Sequence, residues 1–403
     1  MNKTSGSIRF DVDVLGQVFT PNDVVNKMIG LCRNRGSEWR VLEPSCGDGA
    51  FHSSIPGCVG IEIDPDHCPS NALCMDFFDY RPKEKFDTII GNPPFVRFRD
   101  IQDDTKNKLD LSNFDERTNL YVFFIDKCLD LIGPGGELVF INPRDFLKST
   151  SARRLNKKIM ETGTITYMED LGDTPIFPGY APNCVIWRFE KGNKSHKTDD
   201  GRSVVYTDGQ ISFLKMDYPY RVSDLFDVKV GGVSGADRIF MASESADTEA
   251  AREFVCSQTI DTGRGRWMIY GDDLESPPSP LKRYEAELRG RKIKSFTDKN
   301  WWHWGRKSPV DDRSRIYVNA KTRRERPFFL HGSKWFDGAV LGLMIKDPTL
   351  DPGDLCDALN IVDWNELGFR SGGRFLFSQR SLMNARLPKS FEKFLLPKNR
   401  NAA

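Results

Sequence analysis

Asn92-Pro93-Pro94-Phe95 follows the apolar run Thr88-Ile89-Ile90 and Gly91. Such a run reads as a short buried strand, and the two prolines stop any strand or helix after it. The Asn92 amide therefore lies just past the carboxyl end of a strand, where open α/β sheets bind ligands. Taken alone the stretch is a tight Asn-Pro turn, so its surroundings decide. A second constellation, Glu43-Pro44-Ser45-Cys46-Gly47-Asp48-Gly49, follows Val41-Leu42. Gly47 and Gly49 let a backbone approach a ligand closely. Glu43 and Asp48 put carboxylates at that turn, which is wrong for a pyrophosphate seeking free amides. They suit a ligand with an ammonium or sulfonium end, which points away from NAD and toward S-adenosylmethionine.

Two further acidic positions complete the pattern. Glu62, followed by Ile63 and Asp64, ends the run Val59-Gly60-Ile61. An acid there accepts hydrogen bonds from ribose hydroxyls in nucleoside-binding α/β units; Asp64 is the alternative, and two solvated acids at a strand end are the plain reading. Asp76 beside Phe77 offers an acceptor for an exocyclic amine and a ring to cover a base. Upstream, Thr20-Pro21 reads as a capping hydroxyl and a first-turn proline, which would place Phe19, Thr20 and Pro21 at a helix N-terminus lining the ligand site.

The elements that must position these groups alternate. Four strands, each ending in a polar or glycine-containing turn, precede a helix over 119–129 and a strand at Leu138–Pro143. Arg153–Met160 reads as a basic helix, Asp173–Pro178 as a loop and Cys184–Phe189 as a last strand. This rhythm predicts an α/β fold with a doubly wound, mostly parallel sheet. The charged stretch 191–202 lacks apolar residues and is the natural linker, dividing the chain into domains over 1–192 and 203–403. The second of these lacks strand–helix alternation and is rich in aromatics.

At 403 residues the chain is long enough for two domains. Lys+Arg 58 against Asp+Glu 57 leaves no net bias, but Lys282–Arg326 carries fifteen Lys/Arg and six Asp/Glu. Tyr284, Phe296, Trp301, Trp302, Trp304 and Tyr317 are interleaved there, an electrostatic and stacking footprint for nucleic acid. The alternative is a solvated charged face over a tryptophan core. Nine cysteines without a C-x-x-C pair read as free thiols of a reducing cytosol. No spacing fits a metal site. No signal peptide or membrane span is evident, so the expectation is a cytoplasmic protein without membrane association.

In this order the motifs resemble the γ-group of amino-methyltransferases, N6-adenine DNA methyltransferases found mostly in bacterial restriction–modification systems. The resemblance covers most of residues 15–190. Gln17-Val18-Phe19-Thr20-Pro21 is similar to the family's N-terminal cofactor motif, Leu42–Phe51 to its glycine loop, Glu62 to its ribose-binding acid and Asp76-Phe77 to its adenine-binding pair. Asn92-Pro93-Pro94-Phe95 fits the catalytic (Asn/Asp)-Pro-Pro-(Tyr/Phe) motif. Asn119–Phe124 resembles the helix lining the target pocket, with Phe124 facing the base, and Phe177 falls where the family places an aromatic that stacks on it. Gly231–Asp237, Trp301–Arg306 and Gly373–Phe377 resemble segments of the group's target-recognition regions.

The resemblance implies an S-adenosylmethionine-dependent methyltransferase fold with a C-terminal α+β target-recognition domain. Residues Phe19 to Pro21, Glu43 to Ser45, Gly47 to Gly49, Glu62, Ile63, Asp76, Phe77 and Asn92 would hold the cofactor. The Asn92 oxygen and the Pro93 carbonyl would accept the two N6–H bonds of a flipped adenine in duplex DNA, with Pro94 stiffening the turn and Phe95 stacking. A cognate restriction endonuclease would act in the same system without direct contact, and the enzyme would be a monomer. Enzymes that methylate an RNA guanine amine or a protein glutamine share the quartet and are the alternative; a catalytically dead DNA-binding protein and a fused nuclease are weaker rivals.

Overall fold

The computed structural model describes residues 19–36, 38–172, 176–177, 183–242, 250–293, 295–371 and 373–395. Gln17, Val18, Thr174, Pro175 and Pro178 lie outside them. The chain forms two compact units, the first ending at Met216 and the second starting at Asp217.

In the first unit α1 (Asn22–Leu31) precedes β1 (Val41–Glu43), β2 (Val59–Glu62), β3 (Leu73–Cys74) and β4 (Phe86–Gly91). Then come α2 (Leu120–Leu131), β5 (Ile132–Pro143), α3 (Arg153–Thr162), β6 (Gly163–Asp170), β7 (Cys184–Lys191) and the hairpin β8 (Ser203–Thr207) and β9 (Gln210–Leu214). Seven strands form one sheet in the order β3-β2-β1-β4-β5-β7-β6. The pairs β3-β2, β2-β1, β1-β4 and β4-β5 are parallel, and β7 runs antiparallel to both β5 and β6. The predicted doubly wound sheet is therefore present.

Burial explains the central strands. Leu138, Val139, Phe140 and Ile141 of β5 are fully buried, as are Ile89 and Ile90 of β4, which fits a strand covered on both faces. α2 is apolar almost all round and buries nine of its twelve residues. One buried carboxylate fixes α1 against the sheet: Glu137 of β5 accepts from the backbone N–H groups of Arg33 and Asn34 at 2.8 and 3.0 Å and from Thr88 Oγ1 at 3.0 Å. The far end of α1 is thereby held beside the sheet.

Three local expectations change. The helix start is Asn22, with Pro21 as the cap residue and no side-chain cap bond. Thr20 is thus not a cap; its hydroxyl is used elsewhere. The strand expected at Leu138–Pro143 starts at Ile132 and takes in the glycine-rich stretch 133–136. That stretch bulges within β5, where the register with β4 shifts between Phe86 and Thr88.

The expected linker 191–202 belongs to the first unit. Arg188 is 3% exposed; its guanidinium pairs with Asp199 and donates to Leu31 O at 2.9 Å. A buried cation needs a paired carboxylate, and Asp199 supplies it from inside the stretch. Beyond it β8 and β9 pack on α3, with Asn156 Nδ2 donating to Gly209 O at 2.9 Å. The unit boundary therefore falls after Met216 rather than at 192–203.

The second unit contains β10 (Tyr220–Arg221), β11 (Phe226–Val230), β12 (Ala251–Val255), β13 (Arg266–Ile269), β14 (Arg315–Asn319), β15 (Lys321–Thr322) and β16 (Phe328–Phe329). β17 (Trp335–Phe336), β18 (Val340–Ile345), α4 (Pro352–Ile361), β19 (Arg370–Ser371), β20 (Arg374–Leu376) and β21 (Arg386–Leu387) follow. Its sheets run β11-β18-β14-β16, β13-β12-β17, β15-β20-β19 and β10-β21, an α+β arrangement. The interleaved tryptophans are core. Trp301, Trp302 and Trp304 are 3–4% exposed and cluster with Phe240, Phe254 and Tyr270. Trp304 stacks on Phe254 with ring centroids 4.5 Å apart. A buried ring cannot serve as a base-stacking platform, so Trp301, Trp302, Trp304 and the equally buried Tyr317 leave the predicted nucleic-acid footprint, while the half-buried Tyr284 and Phe296 and its exposed cations remain.

Candidate functional site

The carboxyl ends of β1, β2 and β4 open into a cleft of about 950 Å³. Its walls include Phe19, Thr20, Glu43, Pro44, Ser45, Gly47, Asp48, Glu62, Ile63, Asp76, Phe77 and Asn92. Twelve of the fourteen expected cofactor residues thus meet in one place. Pro21 and Gly49 are not in the wall, although both shape it. Gly49 has φ +87°, and a Cβ there would come within 2.9 Å of Pro69, so only glycine turns the chain at that point. Gly47, at φ +51°, lies under the Phe19 ring.

Glu62 organises the glycine loop. Its Oε2 accepts from Gly47 N at 2.7 Å, and Oε1 accepts from Ile63 N and Asp64 N at 3.1 and 3.0 Å. Each carboxylate oxygen has two lone pairs, so Oε2 keeps capacity for a ligand hydroxyl. Asp76 is more heavily engaged: Oδ1 accepts from Phe78 N at 2.8 Å, and Oδ2 accepts from Thr105 Oγ1 at 2.8 Å and from Lys108 Nζ at 3.0 Å. It holds the loop after β4 against the cleft. That loop brings Ile101, Gln102 and Thr105 into the wall. Sequence reasoning missed them, and nothing in their local pattern marks them.

Glu43 is buried, 2% exposed. Burial pushes its carboxyl well above the usual carboxylate range, Asp48 and Glu62 push the same way, and the His52 N–H at 2.6 Å opposes them. A folded-state acid raised in this way holds its proton more tightly than in the unfolded chain. The empty protein should therefore lose stability as pH rises from the ordinary carboxylate range through the raised value. A ligand cation beside Glu43 reverses that cost by favouring the carboxylate, so binding releases a proton and strengthens with pH across the same window. Calorimetry of S-adenosylmethionine binding in buffers of different ionisation enthalpy should register this proton, and Glu43→Gln should remove it.

Asn92 sits where β4 ends. Its Nδ2 donates to Thr20 Oγ1 at 3.3 Å and its backbone oxygen accepts from Ser45 Oγ at 3.2 Å. Thr20 accordingly orients the amide, with nitrogen toward α1 and oxygen turned away. Thr20→Val is isosteric but loses the acceptor. A net hydrogen bond is worth about 1 kcal/mol, so turnover should fall roughly five- to tenfold, with a smaller loss of cofactor affinity because Thr20 also lines the cleft, and Thr20→Ser should restore it. Equal turnover in steady-state assays of the Val and Ser variants would remove Thr20 from this role.

The two expected base-wall aromatics part company. Phe177 is buried beside Phe95, edge to face with centroids 6.1 Å apart. Phe124 instead stacks on Phe77 at 4.9 Å, in the wall of the cleft. Phe124 thus lines the cleft against Phe77, and Phe177 packs against Phe95. Beside Phe95 stands Tyr121, edge to face at 6.2 Å. Tyr121 lies in the first turn of α2, which Asn119 caps and which the bond from Leu120 N to Val96 O at 2.9 Å ties to the quartet. A helical wheel could not have chosen between Tyr121 and Phe124, since both are buried.

All nine cysteines are free. Among the described residues no group of three or more His, Cys, Asp or Glu is placed to hold a metal ion, and no helix is long and apolar enough to cross a membrane.

The Eco57I restriction-modification methylase family model matches residues 64–177, a stretch that includes Asn92–Phe95 and Phe177. The Type II methyltransferase M.TthHB8I of Thermus thermophilus is 35% identical over 201 residues, covering 45% of this chain and 46% of the relative. M.HincII of Haemophilus influenzae is 33% identical over 191 residues, covering 44% and 38%. The chain thus spans less than half the length of these curated relatives. Among solved structures, the Type IIL restriction-modification enzyme MmeI in complex with DNA aligns with 92% of this chain and 64% of its own, at a TM-score of 0.54 and 14% identity; that likeness is one of fold. The first unit has the fold of an S-adenosylmethionine-dependent methyltransferase, and its cleft gathers the residues expected to hold that cofactor.

Proposed function

We propose that this relative of the restriction–modification methyltransferases methylates N6 of adenine at specific sites in duplex DNA. The observation that carries the reading is Asn92 at the carboxyl end of β4, its amide turned by Thr20, with Phe95 next to it and the cofactor cleft alongside.

Adenine N6 is a weak nucleophile because its lone pair is delocalised into the ring. The Asn92 oxygen and the Pro93 carbonyl would accept its two N–H bonds and draw the nitrogen toward a tetrahedral amine. Pro93 and Pro94 have no N–H and a fixed φ, so the turn offers carbonyls rigidly. S-adenosylmethionine, held by the residues of the glycine loop and Glu62, supplies an electrophilic methyl on a sulfonium. The residues of this chain contribute position and preorganised dipoles, and no cysteine is required as a nucleophile.

The target nitrogen is inside the duplex, so the base must be extruded at a cost of a few kcal/mol. Phe95 would stack on it. Phe177 now occupies the adjacent space edge-on, so the base enters as that ring gives way, with Tyr121 closing the other side. The second unit would supply target recognition, and the protein would act as the modification half of a restriction–modification system.

Incubation with tritiated S-adenosylmethionine and, separately, duplex DNA, ribosomal RNA and protein tests the reading. Label in DNA alone, recovered as N6-methyladenine, is expected. Label in RNA guanine or in glutamine would replace it with the corresponding acceptor.

A further inference from the structure

Most arginines of the basic stretch 282–326 are spent on the second unit itself. Arg289 pairs with Glu285 and Asp298, Arg313 with Asp227 and Asp311, Arg324 with Asp261 and Arg326 with Asp357. Arg291 is clasped by the carbonyls of Leu288, Ser234, Trp301 and His303. The small sheet β15-β20-β19 is different. Lys321 pairs in register with Leu376 and Thr322 with Phe375, so the next residues in line are Arg323 and Arg374.

Lys321, Arg323, Arg374 and Leu376 are all exposed, whereas Thr322, Phe375 and Phe377 between them are buried. The period of two puts the four exposed residues on one face. Among the described residues none of the three cations on that face has a carboxylate partner. Like charges opposite each other across a strand pair destabilise a sheet. Here the sheet is nonetheless anchored, because Phe377 packs among Phe328, Trp364 and Phe369, and Phe375 stacks on Phe377. An anchored face of one sign, whose repulsion no carboxylate among the described residues relieves, is suited to receive an anion.

We propose that the outward face of β15-β20-β19 grips the sugar–phosphate backbone of duplex DNA, with Lys321, Arg323 and Arg374 as the phosphate contacts. Alternate residues on a strand are about 6.8 Å apart, close to two base-pair rises of about 3.4 Å each along one DNA strand. The face thus presents two cations along one strand at twice the axial repeat of a DNA strand, with Arg374 across from Arg323, rather than a pocket for a single small anion. The exposed Leu376, at 39%, lies beside Lys321 and gives the face an apolar contact for sugar or thymine methyl. The proposal rests on the reading of DNA as the substrate.

The test uses the full chain and duplex DNA of mixed sequence, with affinity measured by fluorescence anisotropy from low to moderate salt. Neutralising Lys321, Arg323 and Arg374 together to Gln should weaken binding at least tenfold. It should also flatten the dependence of log K on log salt by about 0.9 for each phosphate no longer neutralised, with S-adenosylmethionine binding unchanged. Neutralising Lys282, Lys292 and Lys299, exposed cations of the same stretch, should do neither. Arg323→Glu guards against misfolding, since it creates an opposite-charge pair with Arg374 and should raise thermal stability while lowering DNA affinity. An unchanged salt slope in the triple variant, an equal loss in the Lys282/Lys292/Lys299 set, or a wild-type protein that binds no duplex would overturn the proposal. Adenine methylation with an insensitive salt slope would sink this surface alone; a sensitive slope without adenine methylation would sink the proposed reaction and leave the surface standing.

Discussion

Asn92→Ala is expected to reduce methyl transfer by about 10³-fold or more while leaving S-adenosylmethionine binding within about threefold of wild type. The size follows from the role. Removing one preorganised partner of a developing charge costs on the order of 10²–10³ in turnover, and here the lost acceptor also fixes the geometry of the reacting nitrogen. The cofactor is largely spared because most of its cradle, from Glu43 to Glu62 and on to Phe77, is built on other strands, and Asn92 is one of twelve expected residues in the cleft wall. Asn92→Asp should be milder: a carboxylate still accepts, and the Thr20 hydroxyl can turn from accepting to donating. Single-turnover transfer and equilibrium cofactor binding, measured on the same folded preparations, separate the two effects. A folded Ala variant that no longer binds the cofactor would reassign Asn92 from the reaction to the cradle.

Glu62→Ala should produce the second large effect, a rise of at least about 100-fold in the dissociation constant for the cofactor. The Glu62 carboxylate receives three backbone N–H groups, from Gly47, Ile63 and Asp64. Leaving a buried donor unsatisfied costs about 1–3 kcal/mol, and a hundredfold corresponds to about 2.7 kcal/mol. The glycine loop would lose the anchor that fixes its shape before any ligand arrives. Glu62→Gln is the more telling variant. It keeps volume and one oxygen but turns an amide nitrogen toward one of those donors, so it should also lose affinity, though less. Wild-type affinity in the Gln variant, by isothermal titration, would show that side-chain volume rather than acceptor count sets the loop.

Both effects concern residues that could be found from the chain alone, for a physical reason. The glycine loop, Glu62 and the Asn92 quartet are contiguous stretches whose backbone needs, a glycine turn or a proline stop, are written locally. Tyr121, Ile101, Gln102 and Thr105 reach the site only through the packing of α2 and the loop after β4, so no local pattern marks them. Thr20 shows an intermediate case. Thr-Pro before a helix reads as a cap, and only the fold reveals that Pro21 takes the cap position and frees the hydroxyl for Asn92. The stretch 191–202 failed in the opposite sense. Its charges signalled solvent, but Asp199 is the counter-ion of buried Arg188. Composition likewise could not tell tryptophans in a core from tryptophans awaiting a base; the exposed face of Lys321, Arg323 and Arg374 needed the strand register to be seen.

The central claim, that Asn92 presents adenine N6 for methylation, is met most directly by single-molecule sequencing of DNA from cells expressing the wild-type chain or its Asn92→Ala variant. N6-methyladenine at one recurring sequence context in the wild type, absent from the variant, is the predicted result. Modified cytosine in place of adenine, or the same adenine signal in both samples, would contradict it.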